Sequence, residues 1–140
     1  MWIKKNGEVY FPDAYADAVG STRRDLYIDN TGKIGYISSS QLNKENIEVM
    51  KDIDWLYKLN PVSFTYRSDN SGRPQYGLIA EEVEKVNSLF VSYDEEGQAA
   101  TVSYSELVTP LLKALQNQQR LIQDLQQRIE ILEGKKPSPR

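Results

Sequence analysis

From Val108 to Leu132 the chain repeats apolar side chains at alternating steps of three and four residues. The series is Val108, Leu111, Leu115, Gln118, Ile122, Leu125, Ile129 and Leu132. Steps averaging 3.5 residues line one narrow face of a helix and wind that face into a left-handed supercoil. Val108, Leu115, Ile122 and Ile129 then occupy a positions, and Leu111, Gln118, Leu125 and Leu132 occupy d positions. So narrow a stripe needs a partner, either the helix's own domain or further copies of the chain. Arg128 at g and Glu133 at the following e are placed to pair between parallel chains. Ile at a with Leu at d favours two strands, whereas Leu121 and Ile131 widen the stripe toward three strands or a neighbouring domain. Gln118 is a polar layer that fixes register at some cost in stability. The stripe therefore specifies an oligomer and leaves two or three strands open. Ser103-x-x-Glu106 reads as a capping box at the start of this helix. Pro110 removes one helical hydrogen bond and invites a kink. Gly134 and the KKPSPR that follows stop the helix and read as a disordered tail over 134–140.

The chain has 140 residues, the length of about one domain. Hydrophobic residues make up 39% of it, enough for a modest core. A net charge of −3 argues against nucleic acid or an acidic membrane surface as partner. No apolar run is long enough for a transmembrane helix. MWIKKNGEVYF has no apolar centre of the kind a signal peptide needs. Whether Met1 is a native start is left open. The sequence has no His and no Cys. That excludes disulfides and His-based triads and removes the usual zinc ligands, so no metal and no cofactor is expected. Any catalysis must come from Ser, Lys, Asp, Glu or Tyr.

Residues 1–38 are turn-rich, with Asn6-Gly7, Gly20-Ser21 and Asn30-Thr31-Gly32 between short apolar pieces. Leu26 and Ile28 alternate with Asp25, Tyr27 and Asp29, and DLYIDNTGKIGYI reads as a β-hairpin. This stretch cannot bury a core alone and reads as the end of a larger β-rich structure or as a short propeptide. Residues 44–59 place Ile47, Met50, Ile53 and Leu56 on one helical side, so a helix is predicted there, stopped by Asn60-Pro61. VSFTYR (62–67) alternates as a strand and SDNSGRP is a loop. YGLIA (76–80) is a strand running into a helix at EEVEKV. LFVSY (89–93) and AATVSY (99–104) form a second hairpin around DEEGQ. The fold class is α+β: a small mixed domain of short hairpins and helices, followed by a long coiled-coil helix. The boundaries are a β-rich segment 1–38, a core 39–104, the oligomerising helix 105–133 and the tail 134–140.

These motifs stand in a specific order: SS-x-x-x-KENI, LNPVSFTY, YGLIAEEVEKV, then VSYSELVTPLLKALQNQQRLIQDL. The order resembles the peptidase S74 family, the C-terminal intramolecular chaperone domain of bacteriophage tail spikes and tail fibres. That family also includes a domain of membrane-bound, myelin-type transcription regulators. The resemblance runs over about residues 36–133 and rests on these four motifs and the coiled coil that ends them, five features in order. It implies a homotrimer that promotes folding of an upstream β-rich fibre in the same polypeptide and then cuts itself off. It implies a virion tail-fibre precursor assembled in the host cytoplasm, with no nucleic-acid or membrane partner. Family members use a Ser with a Lys five positions later, here Ser39 and Lys44, and cleave just before the Ser, here between Ser38 and Ser39. Two positions depart from the family pattern: Ser40 stands where Asp is frequent, and Glu81 where Gln is.

The chemistry of such a dyad is definite. A Ser hydroxyl attacks only when a base takes its proton, and Lys is a base only as the neutral amine, which burial or positive neighbours favour. The expected placement is Ser39 at a strand-to-helix junction and Lys44 in the first helical turn, with N–H groups at the helix start holding the oxyanion. The enzyme so implied is a single-turnover, self-cleaving serine endopeptidase. The plain alternative is that these serines cap a helix and Lys44 is a solvated charge. Ser40 is the fallback nucleophile or the cap. The matching functional alternative is a non-cleaving trimeric tip that binds a receptor. Glu81-Glu82 and Glu95-Glu96 read as solvated surface. Tyr57, Tyr66, Tyr76, Tyr93 and Tyr104 read as half-buried core or interface positions, and Trp55 and Phe64 as core anchors. The upstream fibre and its host receptor are not legible.

Overall fold

The computed structural model describes residues 25–134 continuously, and residues 2, 3, 5, 9–11, 14, 18, 21 and 23 before them. The chain forms two compact units, residues 1–47 and 48–140.

In the first unit β1 (Trp2–Ile3) pairs antiparallel with β2 (Val9–Tyr10). β3 (Tyr27–Ile28) pairs with β4 (Ile34–Gly35), Ile28 facing Ile34, so the hairpin read from DLYIDNTGKIGYI is present. Its turn is organised by Asp29, whose carboxylate accepts the Thr31 N–H at 2.9 Å, the Thr31 hydroxyl at 2.6 Å and the Lys33 N–H at 3.1 Å. Gly32 supplies the left-handed step at φ +82° that a short hairpin loop needs. No described residue of this unit is buried. The turns expected at Asn6-Gly7 and at Gly20, and residues 135–140 of the tail, lie outside the described residues.

The helix expected over 44–59 does not form. Residues 44–53 are irregular, and only Asp54–Lys58 winds into a 3-10 turn. Asn46 sits at φ +51°, the opposite hand to an α-helix. Asp52 accepts the Asp54 N–H at 2.9 Å, a local bond that starts the turn late. Of the expected stripe only Ile53 is buried; Met50 and Leu56 are half-buried and Ile47 is exposed.

The second unit runs β5 (Val62–Phe64), β6 (Gln75–Gly77), α1 (Ala80–Asn87), β7 (Val91–Tyr93), β8 (Ala99–Val102) and α2 (Tyr104–Leu132). β5 pairs with β6, with Ser63 opposite Tyr76, and β7 pairs with β8, with Val91 opposite Val102. The fold is thus mixed, with short antiparallel hairpins and a long C-terminal helix, as the pattern predicts. The β7–β8 loop repeats the chemistry of the first hairpin. Asp94 accepts the Glu96 and Gln98 N–H groups at 3.0 and 2.8 Å, and Gly97 takes φ +78°. The core is Val83, Phe90, Val91, Val102 and Leu107, with Trp55, Leu59, Leu78, Ala80 and Ala99 packed around it. Trp55 is half-buried and stacks on Phe90 at 4.9 Å. Phe64 is half-buried and meets Tyr66 edge-on at 5.2 Å, so it flanks the core rather than anchoring it. The five tyrosines expected to be half-buried are all exposed in the single chain.

α2 is 29 residues long, about 43 Å at 1.5 Å per residue. It continues through Pro110, which is fully buried. The expected capping box is absent: the Ser103 side chain makes no cap bond, and its N–H donates instead to the Phe90 carbonyl at 2.9 Å. The β-ladder has taken the donor that the box requires.

Candidate functional site: the serine turn and the open face of the long helix

Ser38 to Lys44 form a tight turn around the 3-10 segment Gln41–Asn43. Ser40 has extended backbone, and its Oγ accepts the Leu42 N–H at 3.3 Å, which makes Ser40 the cap. The Ser38 hydroxyl accepts two bonds, from the Ser40 N–H at 3.3 Å and from Asn43 Nδ2 at 2.9 Å. Ser38 is half-buried, whereas Ser39 and Lys44 are exposed. Lys44 is not in a helical turn. It closes the 3-10 segment with extended backbone (φ −131°, ψ 141°), its N–H donating to the Gln41 carbonyl. The oxyanion donors expected at a helix start are therefore not where the pattern placed them. The N–H groups of Leu42, Asn43 and Lys44 are spent within the turn, on Ser40 Oγ, the Ser40 carbonyl and the Gln41 carbonyl. Among the described residues no cluster of acidic side chains is arranged to hold a metal ion.

The second feature is α2. Leu107, Pro110 and Ala114 turn inward and are buried. The heptad residues one step along do not. Val108, Leu111, Leu115, Ile122, Leu125, Ile129 and Leu132 are all exposed, from 46% at Leu125 to 85% at Leu132. Beyond Ala114 no residue of α2 is buried. Monomeric proteins rarely leave a continuous apolar stripe of this length in water. Along the stripe Arg128 Nε lies 3.0 Å from Asp124 Oδ2, one turn back in the same helix. Where α2 begins, the stripe runs into an apolar groove of about 400 Å³ lined by Leu56, Leu59, Pro61, Tyr76, Leu78, Leu107 and Leu111.

Residues 39–97 match the peptidase S74 family, described as chaperone of endosialidase. This is the family that the motif order resembles. No curated protein matches the chain. The S74 match begins at Ser39 and points to a chaperone role for phage tail proteins, with peptidase chemistry in the family's name. It ends at Gly97, within the β7–β8 turn, so the stripe of α2 lies wholly beyond it.

Two contacts escape a reading of the sequence. Tyr104, the first residue of α2, accepts the Leu78 N–H on its hydroxyl at 2.7 Å and so ties the helix start to the end of β6. Gly77 makes this approach possible, because a Cβ there would stand 2.7 Å from the Tyr104 hydroxyl oxygen and 3.2 Å from Phe64 Cε1. The bond spans 26 residues, and nothing local signals it. The Ser38–Asn43 bond is equally silent in sequence. A second apolar face of α2 does leave a sequence signal, since Leu107, Pro110 and Ala114 also step by three and four residues, but that signal does not say which face turns inward.

Proposed function

We propose that this chain is a self-releasing assembly chaperone of a phage tail fibre or spike, acting as a homotrimer. The observation that carries the reading is an exposed heptad stripe on the long helix C-terminal to a segment matching the chaperone of endosialidase. Three α2 helices associated through Val108, Leu111, Leu115, Gln118, Ile122, Leu125, Ile129 and Leu132 join three chains at one end. Joined chains present their upstream β segments to one another at high effective concentration. Interwoven β-fibres depend on long-range contacts and nucleate slowly without such help.

Release proceeds through Ser39 and Lys44. Lys44, as the neutral amine, takes the Ser39 hydroxyl proton. The Ser39 oxygen attacks the carbonyl carbon of Ser38, and the Ser38–Ser39 C–N bond breaks as the Ser39 nitrogen receives that proton. The result is an ester between the Ser38 carbonyl and the Ser39 oxygen. Water hydrolyses it, leaving a carboxylate on Ser38 and a free amine and hydroxyl on Ser39. Because nucleophile and carbonyl are neighbours in one chain, proximity supplies much of the acceleration. A single chain leaves Lys44 exposed, so burial of the base belongs to the assembled state, and assembly precedes cutting. Removal of the chaperone then leaves the fibre kinetically trapped.

Ser40 as the cap and the exposure of Lys44 favour a second reading, a trimeric tip that stays attached and contacts a receptor. Intact mass separates the two. The chaperone reading expects a product beginning at Ser39 from the unaltered chain and none from Ser39→Ala or Lys44→Ala. A full-length mass for all three would leave the attached tip or a chaperone that does not cut, and folding of the upstream fibre without residues 39–140 would tell those two apart.

A further inference from the structure

We infer that Asn43 is a positioning residue for the Ser38–Ser39 peptide, gripping the hydroxyl of the residue before the cut. The inference rests on the self-cleavage reading above. Asn43 Nδ2 donates to Ser38 Oγ at 2.9 Å, a side-chain-to-side-chain hydrogen bond that reaches across five positions of the 38–44 turn. It ties the residue before the scissile bond to the residue before Lys44. The Ser40 N–H reaches the same oxygen at 3.3 Å, so the ring it closes spans the scissile peptide itself. Ser38 is half-buried while 39–44 are exposed, so the gripped side chain is the most enclosed of the set. Attack by Ser39 on its own preceding carbonyl needs one narrow range of backbone torsions at Ser38 and Ser39. Intramolecular reactions of this kind lose rate steeply when the reacting atoms drift. A carboxamide at 43 and a hydroxyl at 38 fix those torsions without touching the reacting atoms. The turn therefore selects a hydroxyl residue immediately before the cut.

The test follows release of the Ser39 product by intact mass during cell-free synthesis of the full chain. The variants are Asn43→Leu, Ser38→Ala, the double variant and Ser38→Thr. Asn43→Leu and Ser38→Ala should each slow cleavage by about 10- to 100-fold, and the double variant no further than either single change. Ser38→Thr keeps the hydroxyl and should cleave within about threefold of the unaltered chain. The pH midpoint of the rate should stay put in every variant, since the base is untouched and only the plateau falls. Multiplying single effects, a shifted midpoint or full-rate cleavage by Asn43→Leu overturns the positioning role. If the unaltered chain stays intact, the cleavage reading falls and takes this role with it; if it cuts and Asn43→Leu cuts equally well, only the positioning role falls.

Discussion

Two faces of α2 carry similar side chains and meet opposite fates. Leu107, Pro110 and Ala114 are buried, while Val108, Leu111 and Leu115 beside them lie in water. On the inward face Leu107 joins Val83, Phe90, Val91 and Val102 in the small core. The outward face continues for about five more turns after the inward one has run out at Ala114. Apolar character alone thus does not say where a side chain goes. A helix with two apolar faces completes its own domain with one and has the other left for association.

The contrast breaks most sharply at Leu107. Leu107→Ala opens a cavity in the core and should cost about 2–5 kcal/mol of stability, read from urea unfolding. On so small a core that is enough to lose the folded unit and its assembly together. The outward face should behave in the reverse way. Ile122→Glu combined with Leu125→Glu removes two layers, each side chain contributing about 1.5–3 kcal/mol when buried. Sedimentation should show monomers, with association weakened at least about 100-fold, while Trp55 fluorescence and its unfolding transition persist. Loss of the Trp55 signal in that variant would mean that the two faces are not separable.

Tyr104→Phe sharpens the comparison at the point where both faces begin. It deprives the Leu78 N–H of its acceptor and should lower stability by about 1 kcal/mol, with assembly state unchanged in sedimentation. Gln118→Leu should act on the outward face alone. It replaces the polar layer, tightens association by about 1 kcal/mol and relaxes the choice of strand number, visible as mixed oligomers in native mass spectra. The smallest effect lies away from α2. The Thr31 hydroxyl and then the Lys33 and Thr31 N–H groups hold the Asp29 carboxyl below the usual carboxylate range. A lowered folded-state pKa gives stability that is present above the unfolded value and lost as pH falls through the lowered one. Acid should therefore loosen the β3–β4 turn and leave both faces of α2 as they were. NMR titration should place the Asp29 midpoint low in the native chain and nearer the ordinary carboxylate value in Thr31→Val.

The elements that sequence predicts well here are those whose signals are local. The hairpin turns at Asp29–Lys33 and Asp94–Gln98 follow from an Asp, a Gly three positions on and alternating flanks. α2 follows from a sustained period. The helix expected over 44–59 fails because its period is carried by only four apolar residues, while Asn46 takes a left-handed backbone and Asp52 offers the backbone a competing local bond. The candidate site splits the same way. The spacing of Ser39 and Lys44 is legible, and the turn that surrounds them is not. Their surroundings depend on hydroxyl and amide bonds such as Ser38 with Asn43, which leave no periodic trace. The capping box at Ser103 fails for a related reason: its N–H is claimed by Phe90, a partner set by strand pairing.

The sequence by itself determined the order of motifs, the two hairpin turns, the long helix and the stripe along it, because each depends on residues within a few positions of one another. Only the tertiary structure decided which face of α2 turns inward, that Tyr104 ties that helix to Leu78 across Gly77, and that Ser40 rather than Ser39 caps the turn. Those outcomes depend on which distant or competing donors reach a group first, and on how much apolar surface the small core has room to cover.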